Sequence, residues 1–309
     1  MARHDRTVSV IVPTFEDAAR AVEAVGALLA QSANDFTLEV VVIDDGSRAA
    51  ETKALEVLRE KSDVRVIALG ENRGRSAARN RGAMEARGEY LFFMDCDCVP
   101  ENPHVIERHF AVLDSGYVAS CGDVLGPDRS FWSRYQESAS SRRRQAFARG
   151  LTFMGTSQNL AVRKAAFVQI QGFDASYNRY GFEDRDLLIR LAATGRVGWA
   201  EKAEVVHRDV IRLPTVLRKL HEAGRLGASR FRQTHPVAYR ALGYGHLDVH
   251  DKPLAKPFAS AAGRLAIAMA PALERMVSSG YLPFILAAIL VKLSTGAAYA
   301  GGTAEQPVE

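Results

Sequence analysis

Cysteine is scarce in this chain of 309 residues, which has three: Cys96, Cys98 and Cys121. That number and spacing build neither a disulfide framework nor a zinc finger, so a reducing compartment, the cytoplasm, is expected. Glycine is missing where a nicotinamide-binding domain needs it. The stretch after the first apolar run reads PTFEDAAR, with no G-x-G-x-x-G, and no P-loop motif occurs. Strong charge of one sign is also lacking, because 40 basic against 36 acidic side chains gives +4, too mild to imply a nucleic-acid partner. No internal repeat is visible. The first apolar run, Val8 to Val12, is too short for the core of a secretion signal, so no cleaved leader is expected near Met1. Long hydrophobic runs are few: Tyr281 to Val291 is unbroken, shorter than the roughly 20 residues a spanning helix needs.

What is present is a globular composition, 47% hydrophobic and 25% charged, long enough for one large domain or a domain with an appendage. Up to about residue 100, short apolar runs alternate with amphipathic segments. VSVIVP, LEVVVID, VRVIALG and YLFFMD read as strands; Val22, Val25, Leu28 and Leu29, then Leu55, Val57 and Leu58, then Ser76 to Arg87 mark the helices between them. Repeated strand–helix–strand units predict an α/β fold with a doubly wound, mostly parallel sheet. The middle, 117–210, is less regular: SSRRRQAFARG reads as a basic, mobile loop, and a helix starts near Phe182 with Leu187, Leu188 and Leu191 facing inward. Beyond 211 comes a helical extension, with a basic helix carrying Arg218, Lys219, Arg225, Arg230 and Arg232, then two alanine-rich apolar segments. The expected division is 1–116, 117–210 and 211–309.

Polar residues gather where the strands end. PTFED follows the first, DDGS the second and DCD the fourth, and the carboxyl edge of an open α/β sheet is where ligands bind. Asp44 to Ser47 can also be read as a turn that starts a helix, and that alternative stays open. Asp95 and Asp97 repel one another unless a cation lies near, and Arg73, Arg75, Arg79 and Arg81 precede them, a grouping suited to a metal and a diphosphate. Glu183 and Asp184 open a helix, where acids are favoured by the macrodipole whether or not they catalyse anything.

The blocks VSVIVPTFED, VVVIDDGS and NRGRSAARNRGAMEARGEYLFFMDCDCVPEN resemble the donor half of family-2 glycosyltransferases with the A-type glycosyltransferase (Rossmann-like nucleotide-sugar) fold. GTSQNLAVRKAAFVQIQGFDASYNRYGFEDRDLLIRL is similar to the acceptor half shared with galactosyltransferases and N-acetylgalactosaminyltransferases. The resemblance covers roughly residues 7 to 210 and implies the following roles. Pro13, Thr14, Phe15 and Glu16 line the nucleoside pocket, Asp45 contacts the base, and Arg79 lies close to it. Arg73 joins the donor site. Asp95 faces ribose and sugar hydroxyls. Asp97 binds Mn2+ or Mg2+, with Asp95 beside it and His207 as a further metal ligand, although His207 can also be an ordinary strand-end histidine. Asp184 is the catalytic base, with Glu183 the alternative. Gly155, Tyr180, Gly181, Phe182 and Asp186 belong to the acceptor side, the aromatics forming a sugar platform.

The implied reaction is inverting transfer of a sugar from a nucleotide-sugar donor, expected to be a UDP-sugar, to a glycan or lipid-linked acceptor in cell-envelope synthesis. The alternative is a catalytically silent carbohydrate-binding or scaffold protein. For the C-terminal apolar segments three readings stay open: helices lying on a membrane, a bundle packed on the protein, or a true span. The basic helix favours the first, at the inner face of the cytoplasmic membrane. Gly280, Pro283 and Gly296 bracket the second segment and limit the expected helix to about 12 to 15 residues. A homodimer is compatible with all of this.

Overall fold

The structure, a computed structural model, describes residues 6–33, 36–177 and 179–306, so the start of the chain at Met1 lies outside the described set. The chain divides into two compact units: Met1–Pro127 with Gln136–Asn178 and Leu187–Asp209, and Asp128–Tyr135 with Arg179–Asp186 and Val210–Glu309.

The first unit is built on a seven-stranded sheet of β1 (Thr7–Thr14), β2 (Thr37–Asp44), β3 (Val64–Ala68), β4 (Tyr90–Phe93), β6 (Ala119–Cys121), β8 (Leu160–Arg163) and β9 (Val197–Trp199). Their order is β3-β2-β1-β4-β8-β6-β9, parallel except that β8 runs antiparallel to β4 and β6. The expected mostly parallel sheet is therefore present. Its central strands bury Val10, Ile11, Val12, Val40 to Ile43 and Leu91 to Phe93 completely, as strands covered on both faces must. Helices α1 (Ala18–Leu29), α2 (Ala49–Ala54), α3 (Arg75–Glu85) and α4 (Val105–Asp114) provide the crossovers. A smaller sheet joins β5 (Cys98–Pro100), β10 (Val205–His207) and β7 (Val124–Leu125).

Register sets the functional edge. Thr14 pairs with Asp44 and Ile11 with Phe93, so the DDGS turn and Asp95 leave the sheet from the same end. Gly46 has φ +79°, and a Cβ there would lie 2.3 Å from the Glu71 carbonyl carbon, so only glycine lets this turn close on the chain leading to α3.

Residues 140–150 are not the expected loop. They belong largely to α5 (Phe131–Ala148). The apolar pattern was hidden because a serine points inward: Ser140 donates to Asp123 Oδ1 (2.7 Å) and accepts from Val124 N–H, while Ala146 is buried and Phe147 packs edge-on against Trp199. Two further helices are α6 (Lys164–Gln169) and α7 (Glu183–Ala192), the latter belonging to the first unit from Leu187 onward, with Leu187, Leu188 and Leu191 fully buried as expected.

The second unit is helical. α8 (Leu213–Glu222) passes through a π-helical turn, Ala223–Gly227, into α9 (Ala228–Thr234), followed by α10 (Pro236–Ala241), α11 (Tyr244–Leu247), α12 (Lys256–Ser278) and α13 (Phe284–Ala304). Its core includes Trp132, Leu213, Leu217, Ala270, Val277, Ala287, Val291 and Ala298. At Gly302 an added Cβ would meet the His221 carbonyl at 2.1 Å, so small residues bring α13 onto α8. α13 has 21 residues, longer than the bracket of glycines and proline suggested. Pro283 stands before the first turn, where it is tolerated, and Gly296 inside a helix costs only about 1 kcal/mol, which packing offsets. With a mean hydropathy of 1.6, α13 is long and apolar enough to cross a membrane by length and composition.

Candidate active site

In the first unit, the residues after β4 fold into β5, which pairs antiparallel with β10 so that Cys98 faces His207 in register. This pairing brings His207 Nε2 to 3.3 Å from Asp97 Oδ2, and the Asp97 carbonyl accepts from Arg208 N–H at 2.6 Å. Burial pushes the Asp97 carboxyl up, but the hydrogen bond and charge of His207, with help from Cys98 and Arg75, outweigh it and hold Asp97 below the usual carboxylate range. Burial likewise works against a charged His207, and Asp97, Asp95 and Asp209 together raise it above the usual value. His207 Nδ1 is buried and has no hydrogen-bond partner among the described residues.

Asp95 is gripped from below. Arg79, on α3 and 1% exposed, donates from Nη2 to Asp95 Oδ1 at 2.6 Å, and its guanidinium lies over the Phe173 ring. Arg79 therefore supports Asp95 rather than lying open toward a base. Burial raises the Cys96 thiol to about 12, assisted by the charges of Asp97 and Asp95, which favours its protonated form.

Of the nucleoside-pocket residues, Thr14 is buried and donates to the Asp17 carbonyl; Pro13 is partly buried and Phe15 is exposed. Glu16 adopts φ +56° and is fastened by Arg48, whose backbone N–H and side chain both reach its carboxylate. The two acids of DDGS have separate tasks. Asp44 accepts from Ser47 N–H (3.0 Å) and Thr52 Oγ1 (2.6 Å), the turn reading, whereas Asp45 accepts from Arg73 N–H at 2.9 Å. Burial raises the Asp45 carboxyl against the hydrogen bonds from Arg73 and Gly74. Arg73's own side chain is exposed and paired with Glu71.

Among the described residues no group of three or more His, Cys, Asp and Glu side chains converges as a metal cage. Asp97 and His207 come together, while Asp95 is turned to Arg79. The pair still fits the ion expected here, and Mn2+ better than Mg2+: the Asp97 carboxylate suits either hard cation, whereas an imidazole nitrogen is a poor donor to Mg2+, and such ions normally complete their shell with substrate phosphate and water.

In the second unit, Glu183 and Asp184 differ in environment. Glu183 is 4% exposed and folds back to accept from Gly181 N–H at 3.0 Å, whereas Asp184 is half-exposed. Asp186 is 2% exposed, with Oδ1 2.8 Å from His235 Nε2. Phe182 is not an open sugar platform. Its ring stacks on Phe231 at 4.7 Å and is enclosed with Tyr239, Tyr244 and Tyr299. Tyr180 is half-exposed, with Lys219 over its ring. Gly155, in the first unit, is a packing position: a Cβ there would lie 2.5 Å from Cys121 Sγ. His235 and Phe231 escaped the sequence reading, since nothing in their spacing ties them to Asp186 and Phe182 about fifty residues earlier.

The sequence profile described as Glycosyl transferase family 2 matches residues 9–171, more than half of the chain. The chain belongs to glycosyltransferase family 2. A second profile, described as the N-terminal domain of galactosyltransferase, matches residues 148–204 of this family member. It is similar to a dolichyl-phosphate beta-glucosyltransferase of Dictyostelium discoideum (34% identical over 103 residues, 30% of this chain and 32% of the relative). It is also similar to the succinoglycan biosynthesis protein ExoO of Rhizobium meliloti (41% over 90 residues, 29% and 25%) and to the glycosyltransferase AglE of Haloferax volcanii (34% over 128 residues, 40% and 40%). The chain thus spans well under half the length of these curated relatives. Among solved structures, it resembles the mannosyltransferase PcManGT from Pyrobaculum calidifontis in complex with GDP-Man and Mn2+ (TM-score 0.62, 20% identity, 94% of this chain and 85% of that one). The 1–349 segment of S. aureus TarS is a second likeness (TM-score 0.55, 18%, 96% and 90%). These likenesses place the chain in the A-type glycosyltransferase fold.

Proposed function

We propose that this chain is an inverting, metal-dependent glycosyltransferase that moves a sugar from a nucleotide-sugar donor, expected to be a UDP-sugar, to a hydroxyl of a glycan or lipid-linked acceptor in envelope synthesis. The observation that carries the reading is the Asp97–His207 pair, 3.3 Å apart, held by the β5–β10 pairing just beyond the acidic end of β4. Asp97 and His207 would hold the Mn2+ or Mg2+, which when bound neutralises negative charge on the departing diphosphate. Asp95, fixed by Arg79, would accept hydrogen bonds from ribose and sugar hydroxyls, and Asp45 would sit at the base end of the pocket. Asp184 would take the proton from the acceptor hydroxyl as that oxygen attacks the anomeric carbon. A single displacement would invert the configuration and needs no covalent intermediate. The similarity to a dolichyl-phosphate glucosyltransferase supports a lipid-linked acceptor.

A second reading concerns location and rests on a different observation. Along α12 and α13, Phe258, Leu265, Met269, Ile285, Leu286 and Leu293 are exposed, an apolar surface of the kind that marks contact with a partner or a membrane. The exposed charges among them, Arg264, Arg275 and Lys292, are all positive, which suits the anionic cytoplasmic leaflet.

The enzymatic reading is tested by incubating the purified full chain with a panel of nucleotide sugars, with and without Mn2+, and measuring release of nucleoside diphosphate. Metal-dependent release with one donor is expected. A folded protein that releases none from any donor, yet binds glycans, would favour the silent carbohydrate-binding alternative.

A further inference from the structure

The chain entering α7 has a conformation that neighbouring residues do not favour by themselves. Phe182 has φ +73°, in the left-handed region that non-glycine residues avoid, and Gly181 before it has φ +106°. The helix begins at once, with Asp186 N–H donating to the Phe182 carbonyl. Such strain persists only where surrounding groups over-determine it.

Two of those groups sit one helical turn apart. Phe231 on α9 and His235 at its C-terminal end are related by i, i+4, their rings are 5.1 Å apart, and His235 N–H donates to the Phe231 carbonyl. Phe231 stacks on the Phe182 ring at 4.7 Å with 19° between planes, and His235 Nε2 lies 2.8 Å from Asp186 Oδ1. The two pegs therefore engage the residues two before and two after Asp184. Phe231, Phe182 and Asp186 are each 2% exposed or less, so water does not compete for these contacts. The π-helical turn at Ala223–Gly227 leads directly into α9, an interruption common near functional sites.

We propose that Phe231 and His235 are positioning residues that fix the orientation of Asp184, so that the C-terminal helices complete the acceptor-side loop instead of serving only as an appendage. This inference rests on the reading of Asp184 as the base. A base displaced by about 1 Å can lose on the order of 10²-fold in rate without any loss of donor affinity.

The test compares full-length His235→Leu, His235→Gln, Phe231→Leu and Asp184→Asn for kcat, donor KM and thermal melting. In His235→Leu and Phe231→Leu, kcat should fall by about tenfold or more while donor KM stays within about twofold. His235→Gln keeps an N–H donor toward Asp186 and should recover most of the rate. Wild-type kcat in both leucine variants, with Asp184→Asn inactive, would overturn the positioning role and leave the base in place. Normal transfer by Asp184→Asn would remove the base reading and this inference together. Should a leucine variant lose its cooperative melt, the milder Phe231→Met decides. A Phe231→Met rate several-fold below wild type at unchanged donor KM supports the role; a wild-type rate, or kcat and KM worsening in parallel, overturns it.

Discussion

Arg79 Nη2 lies 2.6 Å from Asp95 Oδ1, inside a pocket so closed that 1% of the arginine side chain meets solvent. A buried charge pair of this kind is costly to break, because removing one partner leaves the other desolvated and unpaired. Arg79→Met should lower stability by about 3 kcal/mol. Arg79→Lys retains the charge but loses the planar guanidinium that lies over Phe173 and reaches Asp95 from Nη2, so it should stay folded and raise donor KM several-fold. Thermal melts and donor titration check this; wild-type KM in Arg79→Lys would mean Asp95 does not depend on its partner for orientation.

Asp97→Asn preserves shape while removing charge from the expected cation position. Metal-dependent binding of the nucleoside diphosphate should fall sharply, with the melt nearly unchanged, and His207→Gln should weaken it to a smaller degree. Calorimetric titration of UDP and GDP with Mn2+ reads both. Unaltered Mn2+-dependent affinity in Asp97→Asn would rule out its role as ligand.

Asp184→Asn should lower transfer by about 10²-fold or more while leaving nucleotide binding intact, the usual scale for losing a placed general base. Glu183 is buried with its carboxylate on Gly181 N–H, so Glu183→Gln should disturb stability more than chemistry. Inactive Glu183→Gln beside a normal Asp184→Asn would reverse the assignment.

The parts legible in the sequence are those with a local cause. The runs at Val10–Val12, Val40–Ile43 and Tyr90–Met94 are continuous and apolar because their strands are covered on both faces, and turn residues follow closely, so both sheet and ligand edge could be read. What could not be read depends on distant partners. Ser140 looks like a loop residue until Asp123 is beside it, and Phe182 looks like a platform until Phe231 covers it. Gly296 reads as a helix stop, since sequence alone does not reveal the packing that carries α13 past it.

His109 was invisible for the same reason, and it predicts acid sensitivity. It is 1% exposed, with Nδ1 2.7 Å from Ser120 Oγ and Nε2 2.8 Å from Asn159 Oδ1. Asn159 Nδ2 donates to the Asp123 and Ala203 carbonyls, which leaves its oxygen as acceptor and puts the histidine proton on Nε2. Burial lowers His109 to about 4 despite these hydrogen bonds. The unfolded chain takes up a proton near pH 6.5 that the folded protein refuses until about 4. Stability should therefore drop as pH falls through that window, by up to about 3 kcal/mol from this residue. Urea unfolding at pH 7 and 4.5 measures it, and His109→Gln should show a shallower pH dependence; an equally steep one would place the acid sensitivity elsewhere.

Helices α12 and α13 distribute charge unevenly. Between residues 256 and 304 the single acid is Glu274, and it is turned inward, accepting from Trp132 Nε1 at 2.9 Å and from Leu213 N–H at 2.6 Å. The exposed face keeps apolar side chains, small residues and the cations Arg275 and Lys292, with Arg264 lying 3.6 Å from Glu305 just past the end of α13. Arg232, expected at lipid head groups, is instead paired with Asp248 at 2.6 Å. Although α13 is long enough to span, spanning would tear Tyr299 from Tyr239, whose hydroxyls are 2.7 Å apart beside Asp248, and would expose this network to hydrocarbon. A helix pair lying in the interface keeps the network and covers Ile285, Ile289 and Leu293. Removing everything after 255 would take most of the helical core with it, so the better probe is substitution at exposed positions. The full chain should pellet with anionic vesicles at low salt, less so as salt screens the cations, and Ile289→Glu with Leu293→Glu should remain folded in the supernatant. Wild-type protein that stays soluble and monodisperse beside such vesicles would assign this face to another partner, and protein that resists alkaline extraction from membranes would mean that α13 spans after all.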